Sequence, residues 1–243
     1  MTYTDVITPV KQLNIYHVFQ PIINLSNEEV VGFEALIRSE EIPNPEVLFQ
    51  KASEEGTLYD LDMLSIQLAC ETFQKECLEL SIHNSVLFIN IFPSTLNHPQ
   101  FFDEFIEIFE SAGMGFDQVV VEINEKEKIN LFQLNDRIQQ LRQVGFRIAL
   151  DDLGKGNSLI NSLEIETHIA KIDRYYALNL TDSTKKRIFI QTIMESFPND
   201  IFVVLEGIET EEDLIVAKEL GVHYAQGYYI GRPGPLSDFV AED

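Results

Sequence analysis

Short apolar runs alternate along this chain with longer stretches in which apolar residues recur every three or four positions, and the two periods divide it into strands and helices. Strand-like runs are read near 15–20, 30–37, 86–91, 118–123, 146–151, 168–172, 201–206 and 222–226. Helical periodicity covers 45–79 with a break near Gly56, then 99–112, 126–144, 183–197 and 210–220. Thr210 is placed to cap the last of these and Gly221 to stop it. Eight strands with intervening helices in 243 residues predict a (β/α)8 barrel. One connection breaks the pattern: only Asn24 to Glu28 separate the first two runs, too few for the dozen or so residues of a parallel crossover. The expected fold is therefore α/β, a distorted TIM-type barrel whose first pair is a hairpin with one antiparallel strand. It is read as a single domain over 15–243 behind an N-terminal segment, 1–14.

Six of the apolar runs end in a polar side chain. VVGFE ends at Glu34, LFIN at Asn90, VVVE at Glu122, RIALDD at Asp151 and Asp152, IAK at Lys171 and FVVLE at Glu206. An isolated buried carboxylate costs several kcal/mol unless it is paired or bound to a cation, so this repetition points to a shared positive charge. In a barrel the C-terminal strand ends form one rim, where these residues would converge. Asp151 and Asp152 are adjacent and can reach one cluster only if the chain turns there, a turn ascribed to Gly154 and Gly156 in a mobile loop over the site. Carboxylates and one amide, without thiolate or imidazole, suit a hard ion such as Mg²⁺ or Mn²⁺. There are more carboxylates than one such ion uses, so two ions sharing Asp151 are expected. Lys171 would stand beside the activated water or the developing charge. Arg38, four residues beyond Glu34, is placed to grip a phosphate, against the alternative of a surface pair with Glu40 or Glu41.

Composition narrows the partners. Lys and Arg number 17 against 40 Asp and Glu, a formal net charge of −23, which argues against binding long nucleic acid. No apolar stretch is long enough for membrane insertion and the N-terminus lacks a signal pattern, so a cytoplasmic location is expected. Cys70 and Cys77 are read as free thiols, and the five histidines show no paired metal spacing.

These segments together resemble the EAL domain family of cyclic-di-GMP phosphodiesterases. FQPI at 19–22, EALIR at 34–38, LFINIFPSTL at 87–96, VEINE at 121–125, IALDDLGKGNS at 148–158, KIDR at 171–174, EGIETEEDL at 206–214 and QGYYIGRP at 226–233 match in order. The resemblance implies hydrolysis of cyclic-di-GMP to linear pGpG with two Mg²⁺ or Mn²⁺ ions. It makes Glu34, Asn90, Glu122 and Asp151 ligands of the first metal, and Asp151, Asp152 and Glu206 those around the second. Lys171 and Glu206, beside Asp152, take the catalytic roles, and Gln20, Arg38 and Gln226 contact the substrate. Glu125, Glu209 and Asp173 position the loops and support the ligands. The glycine loop departs from the family pattern at Leu153, Lys155, Asn157 and Leu159, which bears on loop order, dimer coupling and turnover. A homodimer and a separate sensor or regulatory protein are the implied partners. The competing expectation is a catalytically weak receptor that binds cyclic-di-GMP or a protein.

Overall fold

A computed structural model of the chain describes residues 13–123, 131–154 and 165–240. Eight strands close into a barrel in sequence order: β1 (Ile15–Asn24), β2 (Val30–Ser39), β3 (Val86–Ile91), β4 (Val119–Ile123), β5 (Arg147–Leu153), β6 (Ile169–Ile172), β7 (Phe202–Leu205) and β8 (Tyr224–Gln226). β1 runs antiparallel to both β2 and β8, and every other neighbouring pair is parallel. The five-residue link after Asn24 does make a hairpin, as its length required.

Among the described residues the α-helices are α1 (Pro45–Glu54), α2 (Leu58–Glu79), α3 (Pro93–Leu96), α4 (Phe101–Ala112), α5 (Leu131–Val144), α6 (Thr184–Ser196) and α7 (Glu211–Glu219). The break near Gly56 separates α1 from α2, and Thr210 Oγ1 accepts from the Asp213 backbone N–H at 3.2 Å to cap α7. The one-turn helix α3 was not foreseen, being too short to show a period; Pro93 at its start supplies a helical φ without needing a donor.

Strand periodicity decides where the chemistry sits. Ile22, Phe88, Val120, Ala149, Ile169 and Val204, one from each of six strands, pack together as the plug inside the barrel. Successive side chains on a strand alternate faces, so the residue two positions on stands one layer above. Those residues are Asn90 after Phe88, Glu122 after Val120, Asp151 after Ala149, Lys171 after Ile169 and Glu206 after Val204. On the reversed strand the count runs backwards, from Ile22 to Gln20, which pairs in register with Glu34. The intervening residues Leu87, Ile89, Ile91, Val119, Val121 and Ile148 face outward into a core completed by helices, including the buried rings of Phe73, Phe101, Phe105 and Phe109.

Cys70 is buried and Cys77 half-buried, both as free thiols. Among the described residues no helix is long and apolar enough to cross a membrane.

Candidate active site

The layer above the plug is polar, with Lys171, Glu122, Glu34 and Gln226 buried and Asn90, Asp151 and Glu206 partly so. Lys171 is fully buried at its centre, with Nζ 2.7 Å from Glu122 Oε1, 2.7 Å from Glu206 Oε1, 3.3 Å from Glu34 Oε2 and 3.7 Å from Asp151 Oδ1. One ammonium thus faces four carboxylates, an excess of negative charge that is relieved by protonation of some of them or by a further cation. The surroundings show the imbalance. Burial drives the Glu122 carboxyl well above its ordinary range, with Glu34 adding to the effect and Lys171 opposing it. Burial likewise pushes Glu206 up to about 8 and raises Asp151. Glu34 behaves differently: burial raises it, but Lys171 and hydrogen bonds from Gln226 and Asn90 outweigh that and leave it below the usual value. Burial lowers Lys171, but Glu122, Glu206 and their neighbours more than offset it, so it stays charged.

Glu34 is held from two sides. Asn90 Nδ2 donates to its Oε1 at 2.8 Å and Gln226 Nε2 to its Oε2 at 2.8 Å. Gln226 Nε2 also lies 3.3 Å from Gln20 Oε1, and Gln20 Nε2 donates to the Gly231 carbonyl at 3.0 Å, so a chain of amides runs from the C-terminal loop to the carboxylate. This explains an amide rather than a carboxylate at position 90: an aspartate there could not donate to Glu34.

Asp151, Asp152 and Glu206 bring one carboxylate oxygen each within 4.8 Å of one another. The turn that allows adjacent aspartates to share a cluster lies earlier than the glycines to which it was ascribed. Asp152 itself adopts a left-handed φ of 58°, and the β5–β6 register shifts between Leu150 and Leu153, so a bulge at the strand end re-aims the second carboxylate. Gly154 does take a positive φ, 99°. Gly156, Lys155, Asn157, Leu159 and Glu125 lie outside the described residues, and with them the loop expected to cover the site. Leu153 is fully buried.

The remaining expected residues lie at the edges. Asp173 is buried and its Oδ1 accepts from the Tyr175 backbone N–H at 3.0 Å, capping the turn after β6. Glu209 pairs with Arg174 at 3.2 Å across the rim. Arg38 donates to the Ile37 carbonyl at 2.8 Å and lines a cavity of about 520 Å³ with Glu34, Asn90, Phe49, Phe92 and His17. A second cavity, of about 200 Å³, opens over Glu34, Asp151, Glu206 and Gln226 and adds Arg174 and Tyr228 to its walls. Neither Arg174 nor Tyr228 was singled out from sequence, although a cation two residues past the end of β6 was a usable signal. Asp62 was missed as well; it is buried on α2, and its Oδ2 takes the Phe92 backbone N–H at 2.9 Å, fixing the chain just past Asn90. An acid between apolar residues in LYDLDMLSI, at 58–66, was its trace in the sequence.

The EAL domain family model matches residues 8–233, a span that contains all of these strand ends. The chain belongs to the EAL domain family. This EAL domain is 32% identical over 232 residues to a probable cyclic di-GMP phosphodiesterase, PdeI, of Escherichia coli K12, covering 92% of this chain and 29% of PdeI. It is 29% identical to another, PdeN, covering 97% of this chain and 46% of PdeN. The chain thus spans less than half the length of these curated relatives. Among solved structures, the manganese and cyclic-di-GMP complex of Klebsiella pneumoniae BlrP1 superposes with a TM-score of 0.81 at 28% identity, over 90% of this chain and 56% of BlrP1.

Proposed function

We propose that this EAL domain is a metal-dependent phosphodiesterase that hydrolyses cyclic-di-GMP to linear pGpG with two Mg²⁺ or Mn²⁺ ions. The observation that carries the proposal is the five-carboxylate cluster of Glu34, Glu122, Asp151, Asp152 and Glu206 around the single buried ammonium of Lys171.

The residues present fit hard cations. Every donor is an oxygen, and both Glu122 carboxylate oxygens and Asp151 Oδ1 are buried without a hydrogen bond of good geometry. Glu34, Asn90, Glu122 and Asp151 would hold one ion, and Asp151, Asp152 and Glu206 the other. When bound, such ions supply Lewis acidity that lowers the pKa of water and stabilises charge on a phosphodiester. The protein's own part is to orient and to compensate. Gln226, Gln20 and Asn90 fix the rotamer of Glu34, Lys171 offsets the negative charge that grows on the reacting phosphate, and Glu206 is placed to take a proton from water. Arg38 reaches the substrate from the larger cavity, whose Phe49 and Phe92 rings and polar His17 and Ser65 edges have the composition a nucleobase requires. A homodimer under the control of a separate regulatory protein belongs to the same proposal.

Incubation with cyclic-di-GMP and Mn²⁺, followed by chromatography, tests it. A pGpG peak is expected, and intact dinucleotide overturns the enzyme reading. Binding without cleavage would instead establish a receptor.

A further inference from the structure

We propose that Arg174 is a substrate-binding residue that receives the phosphate of the cyclic dinucleotide lying away from the carboxylate cluster, with Glu209 holding its guanidinium at the cavity rim until that phosphate arrives. This rests on the function proposed above and adds to it a residue that decides affinity for a doubly charged substrate.

A cyclic dinucleotide carries two phosphodiesters, each with one negative charge. The cluster and its cations can accommodate one. The other lies beyond the cluster, toward the rim of the same cavity, where Glu209 and Arg174 stand, in a chain whose formal net charge is −23. Among the described residues that line this cavity, Arg174 is the one cationic side chain. Like charges at close range disfavour entry of an anion, and a cation at the mouth reverses the local field.

Its backbone is fixed for such a task. Asp173, just before it, is buried and caps the turn through the Tyr175 N–H. Gly207, at a φ of 76°, lets that turn press against the segment carrying Glu206; a Cβ at 207 would lie 2.4 Å from Arg174 Cβ. The guanidinium therefore rises from a rigid base at a set distance from Glu206. Its Nη2 lies 3.2 Å from Glu209 Oε1, with the two side chains 56% and 41% exposed. Exposed pairs of this kind are weak, and a guanidinium has five donors in a planar fork that matches a phosphate. Glu209 thus orients the fork without saturating it. Tyr228, on the same cavity wall, has its ring stacked under the Arg232 guanidinium, 4.3 Å from the ring centroid, which places a second positive charge behind that wall.

The test compares the wild type with Arg174→Ala and Arg174→Lys, by steady-state hydrolysis of cyclic-di-GMP in Mn²⁺ and by equilibrium binding in Ca²⁺, over a range of salt. Circular dichroism checks folding, and Arg174→Gln, which retains much of the aliphatic stem, replaces the alanine variant if that variant folds poorly. Loss of a charge-assisted contact should raise KM and Kd about tenfold, with kcat changed less than about threefold because no reacting atom is touched. Lysine should recover part of the loss, and Kd should depend less steeply on salt in the alanine variant. Unchanged Kd and KM, or a loss confined to kcat, overturns this role while leaving the proposed function standing. A wild type that neither binds nor cleaves the dinucleotide overturns both.

Discussion

Asn90 and Glu34 illustrate how little redundancy the polar layer has. Glu34 is oriented by two amides, and Asn90 is one of them. Glu34→Ala, Asn90→Ala and Asp151→Ala should each lower kcat by at least about 100-fold in the presence of Mn²⁺, since each removes an oxygen donor or its orienter. Circular dichroism should show the fold retained. Near-normal turnover in any purified variant would contradict the ligand assignment. His17 makes a second case, away from the cluster. It is buried between β1 and α2, with Nε2 3.0 Å from Ser65 Oγ, and burial, aided by Arg38, lowers its pKa from 6.5 to about 4. The unfolded chain binds a proton at this site below about 6.5 while the folded protein resists it down to about 4. Its contribution is therefore complete above pH 6.5 and lost as pH falls toward 4, to a total of about 3 kcal/mol. Chemical denaturation between pH 7 and pH 4.5 should show His17→Leu losing less stability than the wild type, and parallel losses would remove His17 as the cause.

The turn Arg174–Tyr176 links two of the segments that carry carboxylates. On one side Arg174 abuts Gly207, and on the other the Tyr176 hydroxyl donates to the Gly154 carbonyl at 3.2 Å while its ring stacks on Phe189. Gly207→Ala adds a methyl group where the backbone is left-handed and Arg174 stands in the way. It should cost roughly 1–3 kcal/mol and depress kcat together with stability, because Glu206 moves with its neighbour. A thermal melt and an activity assay check this, and a variant as stable and active as the wild type would show that the contact relaxes freely. Such packing explains which parts of the molecule were legible in the sequence. The strands were, because each is a short apolar run, and six of the eight end in a polar group that was also the site. The hairpin followed from a link too short for anything else. The amide chain from Gly231 through Gln20 and Gln226 to Glu34, the bulge at Asp152 and the place of Arg174 were not, because each depends on contacts between segments far apart in the chain or on a local backbone angle that no periodicity encodes.

The whole molecule carries a large excess of negative charge and concentrates part of it in one buried layer. Cations that bind only the folded form should stabilise it by mass action, by about 2.7 kcal/mol at one hundred times the dissociation constant. Mn²⁺ or Mg²⁺ should therefore raise the melting temperature and EDTA reverse the gain. Ca²⁺ should raise it too while supporting little hydrolysis, since its longer and looser coordination does not hold water at the required position. A melting temperature indifferent to all three ions would argue against any metal in this layer.

The reversed first strand also bears on how the chain is made. β1 hydrogen-bonds to β2 across a tight turn and, over three residue pairs, to β8, about 200 residues on in the chain, and Phe19 exchanges backbone hydrogen bonds with Gly234. During synthesis the hairpin leaves the ribosome before the other strands of the barrel, and its outer edge waits for β8 to emerge. An uncovered edge is a template for pairing with other chains, so the interval before closure is the hazardous one for this protein. A chain ended after Leu220 keeps seven of the eight strands and the whole hairpin, yet it should aggregate on expression instead of settling into a smaller barrel. Size-exclusion chromatography of that truncation is the measurement, and a soluble, monomeric product would show that the ring closes without its final clasp.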